Sequence, residues 1–266
     1  YRSVLIFRIN NRRDLEARLP EMRAGIERLA DPFAWLLERA ELPADIAALP
    51  PTACLAEGII GGAQCTLEGY VHGGEPTTYA TVDSVREANH VSFARYQYPS
   101  RLPQRVQERM AAVAVEAVRA TGLNDCGFNI EFFWDRERDK LWLLEINPRI
   151  SESHCEILEK VDGASHQQVA LDLAEGRAPA PPHRQGQWPA AAKFFIRAFH
   201  DTTVAHLPDA GHVAEVEREL PGTTVELLVH DREHLDDLQD QDSYSYELAW
   251  VWLGGADTHD LLERYG

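Results

Sequence analysis

Gly127-Phe128-Asn129-Ile130-Glu131-Phe132-Phe133-Trp134 and Leu141-Trp142-Leu143-Leu144-Glu145-Ile146-Asn147-Pro148-Arg149 are two apolar runs joined by the charged segment Asp135-Arg136-Glu137-Arg138-Asp139-Lys140. This is the pattern of two strands in a hairpin. A strand turns its side chains over with period two, so Glu145 and Asn147 face the same side. Antiparallel pairing about a turn centred near Glu137 and Arg138 sets Glu131 roughly opposite Glu145, where cross-strand neighbours lie about 5 Å apart. Two carboxylates and an amide oxygen then converge on one face. Such like charges repel, and burying them is costly without a compensating cation. Oxygen ligands of this kind suit Mg²⁺, which takes one or two carboxylates and completes its shell with substrate phosphates. The competing reading is a surface hairpin whose acidic residues are solvated. Pro148 ends the ladder, and Arg149 follows at once as a group suited to phosphate or carboxylate contacts.

Working outward, Arg105 to Thr121 has the clearest helical spacing, with Val106, Met110, Val113 and Ala117 recurring and Gly122 as the stop. Cys65 to His72 and Thr77 to Val82 flank Gly73-Gly74 as a second hairpin. Ser3 to Ile9 reads as a strand. Arg13 to Ala40 has helical spacing that Pro20 and Pro32 are expected to divide into separate helices. Gln167 to Gly176 reads as a helix, followed by the linker-like Ala178-Pro179-Ala180-Pro181-Pro182. Short strands are expected from Ala190 to Gly266. The class is α+β, with sheets built mainly from hairpins.

The bulk numbers narrow the function. Of 266 residues, 44% are hydrophobic and 26% charged, as in a soluble globular protein. No run of about 18 apolar residues exists, so no membrane span is expected. A net charge of −17 without a basic stripe argues against nucleic acid. The four cysteines (54, 65, 126 and 155) lack metal or disulfide-framework spacing, so reduced thiols and a cytoplasmic setting are expected. The scattered histidines of the last third make no metal site, and the acidic run from Asp236 to Asp242 reads as a solvated loop. The chain starts at Tyr1 without methionine, which suggests a missing upstream part.

Gly127-x-x-x-Glu131-Phe132, a short hairpin and Leu144-Glu145-Ile146-Asn147-Pro148-Arg149 resemble the metal-binding strands of the ATP-grasp superfamily, the group of biotin carboxylase, D-alanine–D-alanine ligase and the amino-acid ligases. Glu57-Gly58-Ile59-Ile60-x-Gly62-x-Gln64-x-Thr66-Leu67-Glu68-Gly69 resembles that family's hinge and the strand after it. Tyr98-Pro99-Ser100-Arg101-Leu102-Pro103 fits the ligase branch. These motifs span about residues 1 to 177.

The resemblance implies two α+β lobes gripping ATP, with a β-rich C-terminal segment. It divides the chain into 1–60 (remainder of the N-terminal subdomain up to the hinge), 61–177 (C-terminal subdomain with the metal site), 178–189 (linker) and 190–266. It implies that Glu131, Glu145 and Asn147 hold Mg²⁺, or Mn²⁺ in its place, against the ATP phosphates, and that Arg149 steadies the transferred phosphoryl group. Glu57, Gly58 and Ile59 meet the adenine. Gln64 stands where the family commonly has a ribose-binding glutamate, and Ser3 falls at the end of the mobile phosphate loop. The lysine-bearing strand that normally precedes that loop has no counterpart here. Ser153, His154 and Arg101 are the expected substrate contacts, with Lys193 or Arg197 as further carboxylate partners. The implied reaction joins a small-molecule carboxylate to an amine through an acyl phosphate, releasing ADP and phosphate. The alternatives are a biotin-carboxylase-like carboxylating enzyme and a non-catalytic nucleotide-binding module. Homodimers are common in the family, so a homodimer is one possible assembly, with the oligomeric state left open.

Overall fold

The computed structural model describes residues 5–50, 52–238 and 241–266, with the side chains at 32, 33 and 36 left aside. Its centre is one antiparallel eight-stranded sheet. β1 (Ala63–His72) and β2 (Glu75–Arg86) form a hairpin about Gly73 and Gly74, whose φ angles of +58° and +83° suit the two-residue turn that matches strand twist. β3 (Phe93–Tyr98) follows, then α3 (Gln104–Thr121), β4 (Cys126–Asp135) and β5 (Lys140–Asn147). A 3-10 turn (Glu152–His154) leads into α4 (Cys155–Asp162) and α5 (Gln167–Ala174). β6 (Ala190–Ala198), α6 (Ala210–Glu219), β7 (Thr224–Leu227), β8 (Tyr246–Gly255) and α7 (Thr258–Tyr265) complete the chain. The strand order is β5-β4-β1-β2-β3-β6-β8-β7. Residues 190–266 therefore extend the same sheet, and among their described residues they carry α6 and α7 besides their strands.

The two faces of the sheet differ in chemistry. On one, Cys65 and Leu67 of β1 and Phe128, Ile130, Phe132 and Trp134 of β4 pack against Val106, Met110, Ala114 and Val118 of α3. The buried stripe of α3 repeats every fourth residue. It leaves Val113 exposed and Ala117 half-buried, so the expected stripe was displaced: both residues sit on the flank of the helix. The opposite face is apolar only where α4 covers it, through Ile157, Leu158 and Val161 against Ala80, Val82, Tyr98 and Trp252. Elsewhere that face carries Gln64, Thr66 and Glu68 of β1 and Asn129 and Glu131 of β4.

Before β1 the chain is helical or irregular. α1 runs unbroken over Arg12–Leu37, through Pro20 and Pro32, contrary to the expected division. Leu, Ala, Arg, Glu and Met dominate its sequence, so helical geometry resumes after each missing N–H. α2 is one turn, Ala44–Ala47. The strand expected over 3–9 is not formed from residue 5 onward, because no neighbouring strand takes up its backbone groups; Arg8 N–H donates instead to the Tyr244 hydroxyl at 3.0 Å. Among the described residues, no helix is long and apolar enough to cross a membrane.

Met110 is fully buried with its sulfur 3.6 Å from that of Cys65. Met110→Ala should cost about 2–5 kcal/mol, read as a lower urea midpoint at unchanged slope. A loss under about 1 kcal/mol would mean that α3 is not the helix that seals this face.

Candidate nucleotide and metal site

The register of the β4–β5 hairpin pairs Asn129 with Asn147 and Glu131 with Glu145. Thr66 and Glu68 of β1 pair with Glu131 and Asn129, which sets all six residues in two rows across one face. The side chains of Glu131 and Glu145 project from directly paired residues to the same face. Burial first, and the neighbouring Glu145 second, push the Glu131 pKa above the usual carboxylate range. Asn147 joins this pair: its Nδ2 donates to Glu145 Oε1 at 2.9 Å and to Asn129 Oδ1 at 3.1 Å.

Gln64 completes the cluster in a way the sequence did not suggest. Its Nε2 donates to Glu131 Oε2 at 2.6 Å, while its Oε1 accepts from Arg86 Nε at 2.6 Å. Both ends of the amide are thus engaged by protein groups, and the expected ribose contact would require this bridge to open. Arg86 was not singled out from sequence. Its signal was weak, an arginine at the end of an alternating strand, yet it is the positive charge through which Gln64 orients Glu131.

Glu145 is exposed and opens onto a cleft of about 1140 Å³ that also takes in Glu57, Gly58, Ile59, Gln64, Arg86 and Arg101. The hinge residues Glu57, Gly58 and Ile59 are exposed and outside any strand. Gly62 anchors them to the sheet with φ +124°, where a Cβ would lie 2.4 Å from the Trp134 carbonyl oxygen. The Arg101 backbone N–H donates to Asp83 Oδ2 at 2.8 Å, and its side chain lines the cleft. Arg149 is exposed just past the hairpin, and Ser153 is half-buried in the 3-10 turn. Ser3 lies outside the described residues.

Three expected contacts change. His154 is 2% exposed and bound to Glu68 through Nδ1 at 2.6 Å, so it faces the protein interior instead of a substrate. Arg197 is 3% exposed and fully engaged: Nε donates to the Phe93 carbonyl at 2.8 Å, one terminal nitrogen to Asp242 and Ser245, and the other to Glu247. Lys193 is buried, with its Nζ 3.4 Å from the centre of the Trp250 ring. Neither cation is open to a substrate carboxylate in this arrangement.

A family model described as the ATP-grasp domain matches residues 1–156. The chain belongs to the ATP-grasp family. It has the α+β ATP-grasp fold, and solved structures agree. L-amino acid ligase from Bacillus licheniformis aligns with a TM-score of 0.62 and 15% identity over 78% of this chain and 50% of that one. Phosphoribosylglycinamide synthetase from Anaerococcus prevotii gives 0.56 and 11% over 78% and 51%. N5-carboxyaminoimidazole synthase from Aspergillus clavatus, in complex with ADP and 5-aminoimidazole ribonucleotide, gives 0.53 and 14% over 76% and 49%. The chain spans about half the length of these proteins, and at such identities the likeness speaks to fold alone. No curated protein sequence matches the chain.

The donor set of this ATP-grasp hairpin fits a hard divalent cation. Two carboxyl groups on directly paired residues, one of them open to a cleft, offer oxygen ligands, and Asn147 stands beside them. Among the described residues no three His, Cys, Asp or Glu side chains converge as a self-sufficient metal cage. A cation here would draw its remaining ligands from water and phosphate, as Mg²⁺ commonly does.

Glu131 ionises later in the folded chain than in the unfolded one. Its contribution to stability is therefore present below the unfolded carboxylate range and is lost as pH rises through the raised folded value. Without divalent cation, Glu131→Gln should gain stability over the unsubstituted protein as pH rises through that window, and gain none below it. Mg²⁺ at about ten times its Kd should stabilise the unsubstituted protein by about 1.4 kcal/mol and leave the variant unmoved. An equal Mg²⁺ response in both proteins, followed by thermal melting, would place the cation elsewhere.

Proposed function

We propose that this chain is the nucleotide- and magnesium-binding part of an ATP-dependent carboxylate–amine ligase, which forms an amide or peptide bond through an acyl phosphate and releases ADP and phosphate. The reading rests on one observation above the others, the pairing of Glu131 with Glu145, which itself lines the cleft that also holds the hinge. Family membership and the fold likeness to L-amino acid ligase support it.

In this reading Glu131, Glu145 and Asn147 hold Mg²⁺, with Mn²⁺ as a substitute. The bound cation supplies charge neutralisation at the phosphates, which an acidic chain otherwise opposes. Gln64 keeps Glu131 turned toward the pair, and Arg86 anchors Gln64. Glu57 and the backbone at Gly58 and Ile59 line the adenine end of the cleft. Arg149 stands beyond the metal residues, where a fixed guanidinium stabilises charge on a phosphoryl group in transfer. Arg101, at the cleft wall, is assigned to substrate, as is Ser153. The working division remains 1–60, 61–177, 178–189 and 190–266. The four free cysteines agree with a cytoplasmic setting.

The test is ADP and phosphate formation from Mg·ATP with a panel of small acids and amines. Turnover should require both an acid and an amine. Glu145→Ala should lower it by about 10²–10³-fold while far-UV circular dichroism stays unchanged. Unchanged turnover in that variant would refute the metal assignment. Nucleotide-dependent thermal stabilisation with no phosphate release for any pair would make the chain a binding module.

A further inference from the structure

Glu68 has no part in the reading above, yet it is 0% exposed in the middle of the face that carries the metal residues. A carboxyl group in such a place is costly unless its hydrogen bonds are supplied. One comes from the chain that follows the hairpin, at Oε1, while Oε2 is buried without a hydrogen-bond partner among the described residues. His154 Nδ1 lies 2.6 Å from Glu68 Oε1, and His166 Nδ1 is 3.6 Å from Oε2. His166 is itself fixed at both nitrogens. Its Nε2–H donates to the Ser151 carbonyl at 2.7 Å, and its Nδ1 accepts from the Tyr79 hydroxyl at 3.0 Å. The carbonyl can only accept, which settles the tautomer.

The Ser151 carbonyl is therefore held from below. Two residues earlier, the Arg149 carbonyl accepts from Asn129 Nδ2 at 2.8 Å, and two residues before that, Asn147 donates to Asn129. From Asn147 to Ser151, side chains of the sheet face and of the α5 start grip the loop at alternate residues. Without these bonds an exposed arginine on an irregular segment would sample many positions. We infer that Glu68, with His154 and His166, is a positioning cluster that clamps the loop 147–151 and so fixes Arg149 beside the metal residues. That Arg149 acts on a phosphoryl group rests on the ligase reading; the clamp itself does not.

The cluster is a neutral assembly. Burial raises the Glu68 pKa to about 8 and lowers that of His154 to about 3, with Lys193 and Arg149 adding to the latter. At neutral pH the Glu68 hydroxyl thus donates to His154 Nδ1. The other groups facing it are Tyr79 from β2, Cys155 at the start of α4, His166 before α5 and Arg149 from the loop. Above the Glu68 pKa a buried negative charge loosens the assembly. An amide at position 68 keeps the donor and acceptor and cannot ionise.

The experiment compares Glu68→Ala, Glu68→Gln and the unsubstituted full chain by amide hydrogen exchange and by phosphate release. Glu68→Ala should raise exchange in 147–155 by about tenfold or more while β6 and β8 keep their protection. It should lower kcat by about 10²-fold through a misplaced Arg149, with KM for ATP little changed. Glu68→Gln should keep both protection and kcat at pH 7, and it should lose the fall in kcat that the unsubstituted protein shows above about pH 8. Exchange in Glu68→Ala equal to that of the unsubstituted protein would overturn the inference, as would Glu68→Gln being as impaired as Glu68→Ala. Should Glu68→Ala not fold, Tyr79→Phe removes only the hydroxyl that fixes His166. Faster exchange confined to 147–155 then supports the clamp, and unchanged exchange overturns it. Absence of turnover in the unsubstituted protein refutes the ligase reading alone, since the exchange comparison still decides the clamp.

Discussion

Two carboxyl groups on directly paired residues of adjacent strands oppose the fold that carries them. Glu131 and Glu145 repel when both are ionised, and Glu131 is half-covered by protein, so the hairpin is tolerable only if the charge is shared with a proton or a cation. Much of the surrounding structure answers that constraint. The β4–β5 register holds the pair together, Gln64 and Arg86 balance it from β1 and β2, and Asn147 and Asn129 fix its far side. A proton satisfies the pair at low pH. Near neutrality, in the proposed reading, a divalent cation with phosphate would turn its cost into affinity.

The apolar side of the sheet makes this possible. Period-two alternation sends Phe128, Ile130, Phe132 and Trp134 into the core beneath α3, and the same alternation sends Asn129 and Glu131 to the opposite face. Rigid packing on one side thus fixes polar geometry on the other. The second face is sealed by α4 only toward β2, β3, β6 and β8, which leaves the ends of β1, β2 and β5 open toward the hinge. The buried Arg197–Asp242–Glu247 network belongs to the structural half of the molecule, where every guanidinium nitrogen has a partner and none faces the cleft.

What could be read in advance followed from short sequence separation. The Glu131–Glu145 pairing was legible because one charged turn and strict alternation fix a hairpin's register. Gly73-Gly74 announced its turn for the same reason. The contacts that were missed span long separations or depend on which flank of an element faces inward. Glu68 and His154 are 86 positions apart, and nothing local marks them as partners, so His154 looked like a substrate contact. Gln64 lines the cleft, but its commitment to Glu131 and Arg86 needed the β1–β4 register. Val113 was displaced because α3 repeats at four residues here, and Pro20 and Pro32 misled because strong helix formers flank them.

The most direct measurement is the anomalous scattering of Mn²⁺ in crystals of the protein grown with a non-hydrolysable ATP analogue. The account predicts a Mn²⁺ peak bonded at about 2 Å to carboxylate oxygens of both Glu131 and Glu145, with analogue phosphate oxygens completing its shell. Bound analogue with Mn²⁺ ligated by neither carboxylate would contradict it.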